Sequence, residues 1–238
     1  EQIAAIVAET EEAAMEAVSR VKLDLEELPA VLDVEEAIKP DAPVLKHGGT
    51  NYVIYEAYHC RRVRWGDVVK GFAEAVFIVE GRYQTSPIEH APAATTACVA
   101  KPEADGRITV YTNTQAIYFT LDNTALILQV PFQKLHFVGG TVGGGFGGKV
   151  DVLLEPIASL AAIKTGRPVK FKFTREEEMR CSSSRGAWRM YFKDGVTKDG
   201  RIIARKITTY ADAGAYNRHT PYAVTKHAAN IAGPYRIP

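Results

Sequence analysis

The residues with the most chemical capacity lie at 143–149, where Gly143, Gly144, Gly145, Phe146, Gly147, Gly148 and Lys149 follow a brief apolar strand pattern, Leu135–Val138. A helical pattern over 151–164 follows them. Strand, glycine loop and helix in that order gather several backbone N–H groups and a helix N-terminus in one place, an arrangement that binds anions, commonly phosphate. Glycine suits such a loop because it reaches positive φ and lets a ligand approach the backbone closely. Two nucleotide-binding patterns overlay the run. Gly143 to Gly148-Lys149 has the P-loop spacing, but Val150 stands where a Ser or Thr hydroxyl would hold Mg²⁺. Gly143, Gly145 and Gly148 match the dinucleotide pattern, yet about 20 residues on the chain reads Lys170–Phe173 instead of an acid for a ribose. A close-packed glycine turn with no ligand also accounts for the run.

Other chemistry-bearing residues are sparse. Cys60, Cys98 and Cys181 are scattered and form no CxxC pair. That excludes a disulfide framework, and also an iron–sulfur cluster housed in the chain, which needs about four clustered thiolates. His47, His59, His90, His136, His219 and His227 show no ligand spacing and are expected to be structural or surface residues. Lys and Arg total 29 against 28 Asp and Glu, a formal net charge of +1. This balance argues against a nucleic-acid protein held by phosphate contacts. With 46% apolar and 24% charged residues the chain has the composition of a folded domain. No apolar run approaches the roughly 18 residues that a membrane span requires. An odd cysteine count without a secretory pattern fits a reducing cytoplasm, which is the expected location.

The elements that must position the glycine run are legible in outline. Residues 2–8 (QIAAIVA) read as a buried strand, and Thr10 N-caps a helix with Glu11 and Glu12 in its first turn, running to about Arg20. Val21, Leu23 and Leu25 alternate with Lys22, Asp24 and Glu26 as a half-buried strand, so residues 1 to about 32 are expected to form a β-α-β piece. Pro, Gly and polar residues between Pro40 and Asn51 mark a linker. A helix is expected over Asp67 to Ala75, with strands at 76–82, 94–100 and 107–112, the last two joined at Asp105-Gly106. Residues 117–130 read as a helix, and the helix over 151–164 is closed by Thr165-Gly166 and Pro168. The final third reads as a meander of strands near 169–173, 187–193 and 201–210, with turns at Asp194-Gly195 and Asp199-Gly200.

Thr112-Asn113-Thr114-Gln115, followed by Gly-Gly-Gly-Phe-Gly-Gly-Lys at 143–149, resembles the molybdenum-binding subunit of the xanthine dehydrogenase/aldehyde oxidase family. Further stretches agree in order along nearly the whole chain: EELPAV at 26–31, GDVVKGFAEA at 66–75, EHAP at 89–92, KTGRPVK at 164–170, REEEM at 175–179, DAGAY at 212–216 and GPYRIP at 233–238. The resemblance implies an α+β fold. Residues 1–45 would be the C-terminal half of a hammerhead-like α/β domain, 46–65 a linker, and 66–238 the first part of a molybdopterin-binding domain.

It also implies a molybdenum–pyranopterin cofactor, as molybdopterin or its cytosine dinucleotide form, with the metal held by the pterin dithiolene instead of by protein thiolates. Gln115 matches the family glutamine that hydrogen-bonds an oxygen ligand of the metal, and a neutral amide can do so without adding charge. Gly143, Gly144, Gly145, Phe146, Gly147 and Gly148 match the loop lying against the metal and the pterin, so Gln115 and Phe146 would sit beside the molybdenum without ligating it. Lys149 belongs to the motif, but a lysine there could equally be solvated. Val150, on the substrate side, replaces the glutamate that orients a purine in xanthine-oxidising members, and it cannot hydrogen-bond a heterocycle. Where many members read EHxxxEP, Ala94 and Thr95 replace the last two residues.

The family's later arginine segment and general-base glutamate have no counterpart before Pro238, so the resemblance implies a fragment with no catalytic residue of its own, inactive alone. The complete protein would hydroxylate an aldehyde or N-heterocycle with water-derived oxygen. Its electrons would pass to [2Fe–2S] clusters and a flavin on other domains or subunits. The implied partners are the rest of the molybdenum subunit, those redox subunits and a small-molecule substrate, with no nucleic acid and no membrane. A divergent, non-catalytic assembly or partner-binding module of the same fold is the alternative that the substitutions at Ala94, Thr95 and Val150 suggest.

Overall fold

The computed structural model describes residues 2–45, 49–52 and 60–238. In chain order the elements are α1 (Glu11–Ser19), α2 (Val34–Ala37), α3 (Val68–Glu74), β1 (Phe77–Thr85), β2 (Ile88–Glu89), β3 (Ala97–Pro102), β4 (Ile108–Thr112), α4 (Ile117–Leu128) and β5 (Leu135–Gly139). They continue with α5 (Glu155–Thr165), β6 (Val169–Lys172), α6 (Arg175–Cys181), β7 (Ser184–Arg185), β8 (Trp188–Val196), β9 (Ile202–Ala211) and α7 (Thr220–Asn230). The chain divides into two units, one of residues 1–27 and 89–184, the other of residues 28–88 and 185–238. This is the mixed helix-and-sheet architecture expected.

The first unit is built on a four-stranded sheet in the order β5-β4-β3-β6. β3 and β4 form the expected antiparallel hairpin, with Cys98 opposite Thr112 and Pro102 opposite Ile108. β4 and β5 are parallel, because the helix α4 between them carries the chain back to the same end. Alternation assigns the faces. Cys98, Ala100, Ile108, Val110 and Phe137 are buried together with Leu154, Ala158 and Ala162 in and just before α5, while Tyr111 points away and is exposed. Thr112 and Gly139 pair at the C-terminal ends of the parallel strands. The segments leaving those ends, 113–116 and 140–149, therefore emerge side by side. Open sheets place their ligand sites at this edge.

The second unit holds a three-stranded antiparallel sheet, β1-β8-β9. Gly71 of α3 packs on it so closely that an added Cβ would lie 2.8 Å from the Ile203 carbonyl oxygen. Asp33 caps α2 by accepting from the Glu35 and Glu36 N–H groups, at 2.8 and 3.2 Å. Arg189 pairs with Asp33, and with Glu35 at 2.9 Å, and the Tyr191 hydroxyl donates to Glu35 at 2.6 Å. On the opposite face Trp188 stacks on His227 of α7 with ring centroids 4.2 Å apart.

Several sequence expectations need correction. Residues 2–8 and 21–26 form no strand, and Ile3, Leu23 and Leu25 are exposed. A strand needs neighbours for its N–H and C=O groups, and among the described residues none pairs with these. Only the helix of the expected β-α-β piece is present, with the Thr10 hydroxyl accepting from Ala13 N–H at 3.2 Å. The helix expected over 151–164 starts at Glu155, with Pro156 in its first turn, where a missing N–H costs nothing. Asp194-Gly195 is no turn but lies inside β8, where a Cβ on Gly195 would meet Ala75 at 2.9 Å. The meander is interrupted, since β6 belongs to the other sheet and α6 intervenes. The start of α6 was readable as Thr174-x-x-Glu177, a reciprocal capping box in the structure. Half of the expected 46–65 linker, residues 46–48 and 53–59, lies outside the described residues, as do His47 and His59.

Candidate functional site

Gln115 leaves the end of β4 and meets the glycine run directly. Its side-chain Oε1 accepts from the Gly147 N–H at 3.1 Å and the Lys149 N–H at 3.3 Å. Its backbone N–H donates to the Lys149 carbonyl at 2.8 Å, and the Thr114 hydroxyl donates to the same oxygen at 3.0 Å. Two donors on Oε1 settle which way round the amide lies. The amide nitrogen is left without a partner among the described residues, on a side chain that is exposed.

The run itself is an arc, not a lead into a helix. Gly148–Val150 form a 3-10 turn, and residues 151–154 separate it from α5, so the helix N-terminus expected to serve the loop is displaced from it. Gly144, Phe146 and Gly147 all have positive φ, at 92°, 52° and 94°. The N–H groups of Gly144, Gly145 and Phe146 have no hydrogen-bond partner among the described residues. The Phe146 ring is 72% exposed, so it is not a core side chain.

Close packing beneath the arc explains the other glycines. A Cβ on Gly145 would lie 2.8 Å from Gln115 Cγ and nearer still to the amide carbon. A Cβ on Gly148 would lie 2.9 Å from His90 Nδ1. His90 is held in turn by the Ser183 carbonyl at 3.2 Å, and the Ser183 hydroxyl donates to Asp151 at 2.5 Å. Val150 is half-buried at the end of the turn.

Lys149 is 2% exposed, which overturns the solvated reading. Its ammonium donates to the Ala94 carbonyl at 2.6 Å. Burial pushes that ammonium below the ordinary lysine range, with Glu178 opposing the shift and Arg175 adding to it. The irregular segment 92–96 is held mostly by side chains, besides backbone bonds from Ala94 N–H to the Gly143 carbonyl and from Phe173 N–H to the Thr96 carbonyl. Arg175 donates to the Pro92 carbonyl and, at 3.1 Å, to that of Ala93, while Asn113 donates to Thr95 at 2.9 Å. Glu178, 1% exposed, accepts from the Thr96 N–H at 2.6 Å and hydroxyl at 3.0 Å. Sequence reasoning assigned no role to Arg175, Glu178 or Asn113, because nothing local distinguishes a buried glutamate in a short run of three from its solvated neighbours.

The arc thus offers the free backbone N–H groups of Gly144, Gly145 and Phe146, with the Gln115 amide nitrogen, as hydrogen-bond donors. Such a set suits a group rich in oxygen acceptors. Among the described residues no cluster of three or more His, Cys, Asp or Glu could hold a metal ion, so a metal here would have to arrive with its own ligands. A molybdenum–pterin group meets both conditions.

Fold and site together define a cofactor-cradling domain, with its donors at the C-terminal edge of a mixed sheet. The molybdopterin cofactor-binding domain family matches residues 49–238, and the chain belongs to that family. It is 33% identical over 236 residues to the large molybdopterin subunit of nicotinate dehydrogenase from Eubacterium barkeri, covering 99% of this chain and 54% of that one. It is 35% identical over 236 residues to a probable xanthine dehydrogenase subunit from Bacillus subtilis, covering 99% and 31%. Aldehyde oxidoreductase from Desulfovibrio gigas superimposes with a TM-score of 0.78 at 27% identity, over 86% of this chain and 22% of the other. Quinoline 2-oxidoreductase from Pseudomonas putida gives 0.78 at 25% identity, over 89% and 26%. The chain therefore spans about half the length, or less, of these relatives. No described helix is long and apolar enough to cross a membrane.

Proposed function

We propose that this chain is the cofactor-cradling portion of a molybdenum hydroxylase subunit, cytoplasmic, working with the rest of that subunit and with [2Fe–2S] and flavin partners. The observation that carries the reading is the Gln115 amide, whose oxygen is held by the Gly147 and Lys149 N–H groups and whose nitrogen is left to donate. A bound molybdenum–pterin group would supply two-electron oxidation of a substrate carbon with oxygen from water. The chain's own residues bind and orient. Gln115 Nε2 would donate to an oxygen on the metal, the N–H groups of Gly144, Gly145 and Phe146 to acceptors of the cofactor, and the Phe146 ring would form an apolar wall. Gly143, Gly147 and Gly148 would keep the arc thin enough for close approach. Val150 on the substrate side favours an aldehyde or an N-heterocycle that does not depend on a carboxylate for orientation, which separates this chain from purine oxidation.

Molybdenum and pterin content of the complete native protein, purified with its partners from a host that makes the cofactor, tests the proposal. About one molybdenum per chain is expected. Absence of both metal and pterin would refute it.

A further inference from the structure

Lys149 is tied into the site by every polar group it has. Its N–H meets Gln115 Oε1, its carbonyl accepts from Gln115 N–H and the Thr114 hydroxyl, and its ammonium reaches Ala94. Ala94 also donates its own N–H to the Gly143 carbonyl at 2.9 Å. One backbone residue therefore touches both ends of the glycine arc: Gly143 through its N–H, and Lys149 through its carbonyl.

We propose that Lys149 is a positioning residue, whose ammonium closes the glycine arc end to end through Ala94 and so fixes the direction in which Gln115 presents its amide nitrogen. A run of glycines gives up more backbone freedom on ordering than any other sequence of its length. Within the arc only one backbone bond is made, from Gly148 N–H to Gly145 at 2.7 Å, so its shape depends on ties from outside. Gln115 and Ala94 supply them, and the Ala94 tie at the Lys149 end is the ammonium. A buried ammonium is costly unless it is compensated. Here Glu178 supplies the compensating field while holding Thr96, and Arg175 and Asn113 hold the carbonyls on either side of Ala94. The clamp on segment 92–96 thus serves to present the Ala94 carbonyl to Lys149. Only the consequence for cofactor retention rests on the molybdenum reading, and the closure of the arc is independent of it.

The test uses the complete protein with its partners, comparing wild type with Lys149→Met and Lys149→Arg by amide hydrogen exchange and by molybdenum per chain. In Lys149→Met, exchange of the hydrogen-bonded amides of the arc and its tie, Gly147, Gly148, Lys149 and Ala94, is expected to speed at least tenfold, with the β3–β4 hairpin unchanged within twofold. Molybdenum content should fall at least fivefold. Lys149→Arg, which keeps a buried cationic donor, should restore at least half of both losses. If Lys149→Met does not accumulate, Lys149→Gln replaces it with the same thresholds. Unchanged exchange in the arc, or equal losses in the Met and Arg variants, overturns the inference. Wild-type protein free of molybdenum would refute the cofactor reading, while the exchange measurement would still decide the closure.

Discussion

Replacing Gly145 by alanine isolates the contact between the glycine arc and Gln115. Gly145 lies outside the positive-φ region, so its backbone accepts an L-residue without strain, and only space is at issue. The added methyl would stand 2.8 Å from Gln115 Cγ and closer to the amide carbon. Two responses are open. If Gln115 stays, the overpacking costs about 1–3 kcal/mol. If it swings away, the Gly147 and Lys149 N–H groups lose their acceptor, at about 1 kcal/mol each. The cheaper route sets the loss at about 2 kcal/mol, or about 4–8 °C in the midpoint of thermal unfolding for a domain of this size. Gln115→Ala removes the same two acceptor bonds and should cost about the same. In the double variant alanine at 145 no longer meets the Gln115 amide, so the combined loss should stay near about 2 kcal/mol instead of doubling, a coupling of about 2 kcal/mol. Additive losses, within about 0.5 kcal/mol, would refute the contact and with it the assigned orientation of Gln115.

Three other outcomes are expected. Phe146→Ala should change the thermal midpoint little, since an exposed ring contributes no core burial, in contrast to the roughly 3–5 kcal/mol expected for a buried phenylalanine. It should nevertheless lower molybdenum retention, and a large stability loss with retention intact would reverse that assignment. Glu178→Ala should cost about 3 kcal/mol in thermal unfolding, because it orphans the Thr96 N–H. Glu178→Gln keeps an acceptor and should cost less, so equal losses would count against the hydrogen-bond account. The third concerns acid. The N–H groups of Glu36 and Glu35, and then Arg189, hold Asp33 below its ordinary 3.8. The Tyr191 hydroxyl, then Arg189 and Arg82, hold Glu35 below 4.5. Their stabilisation is complete above those ordinary values and is lost as pH falls through the lower folded-state ones. The gap in thermal midpoint between wild type and Arg189→Met should therefore narrow from about pH 6 to about pH 3, and a constant gap would remove the network as its cause.

What the sequence determined by itself was local and repetitive. The Thr10 cap, the β3–β4 hairpin around Asp105-Gly106, the stretch from α4 to β5 and the glycine run were legible because each follows from residues a few positions apart. So was the pairing of Gln115 with residues 143–149, through their resemblance to a known motif. Tertiary structure alone decided burial and direction. Lys149 could be read as solvated and is enclosed, because segment 92–96 covers it. The terminal strand patterns at 2–8 and 21–26 remain unpaired, since alternation specifies a face but supplies no neighbour. Among the glutamates at 176–178 only Glu178 is buried, because the partner that selects it, Thr96, arrives from a distant part of the chain. The same holds for the Gln115 amide. Its type was readable, but which end faces outward is decided by two backbone N–H groups more than 30 residues away, and no local pattern encodes that.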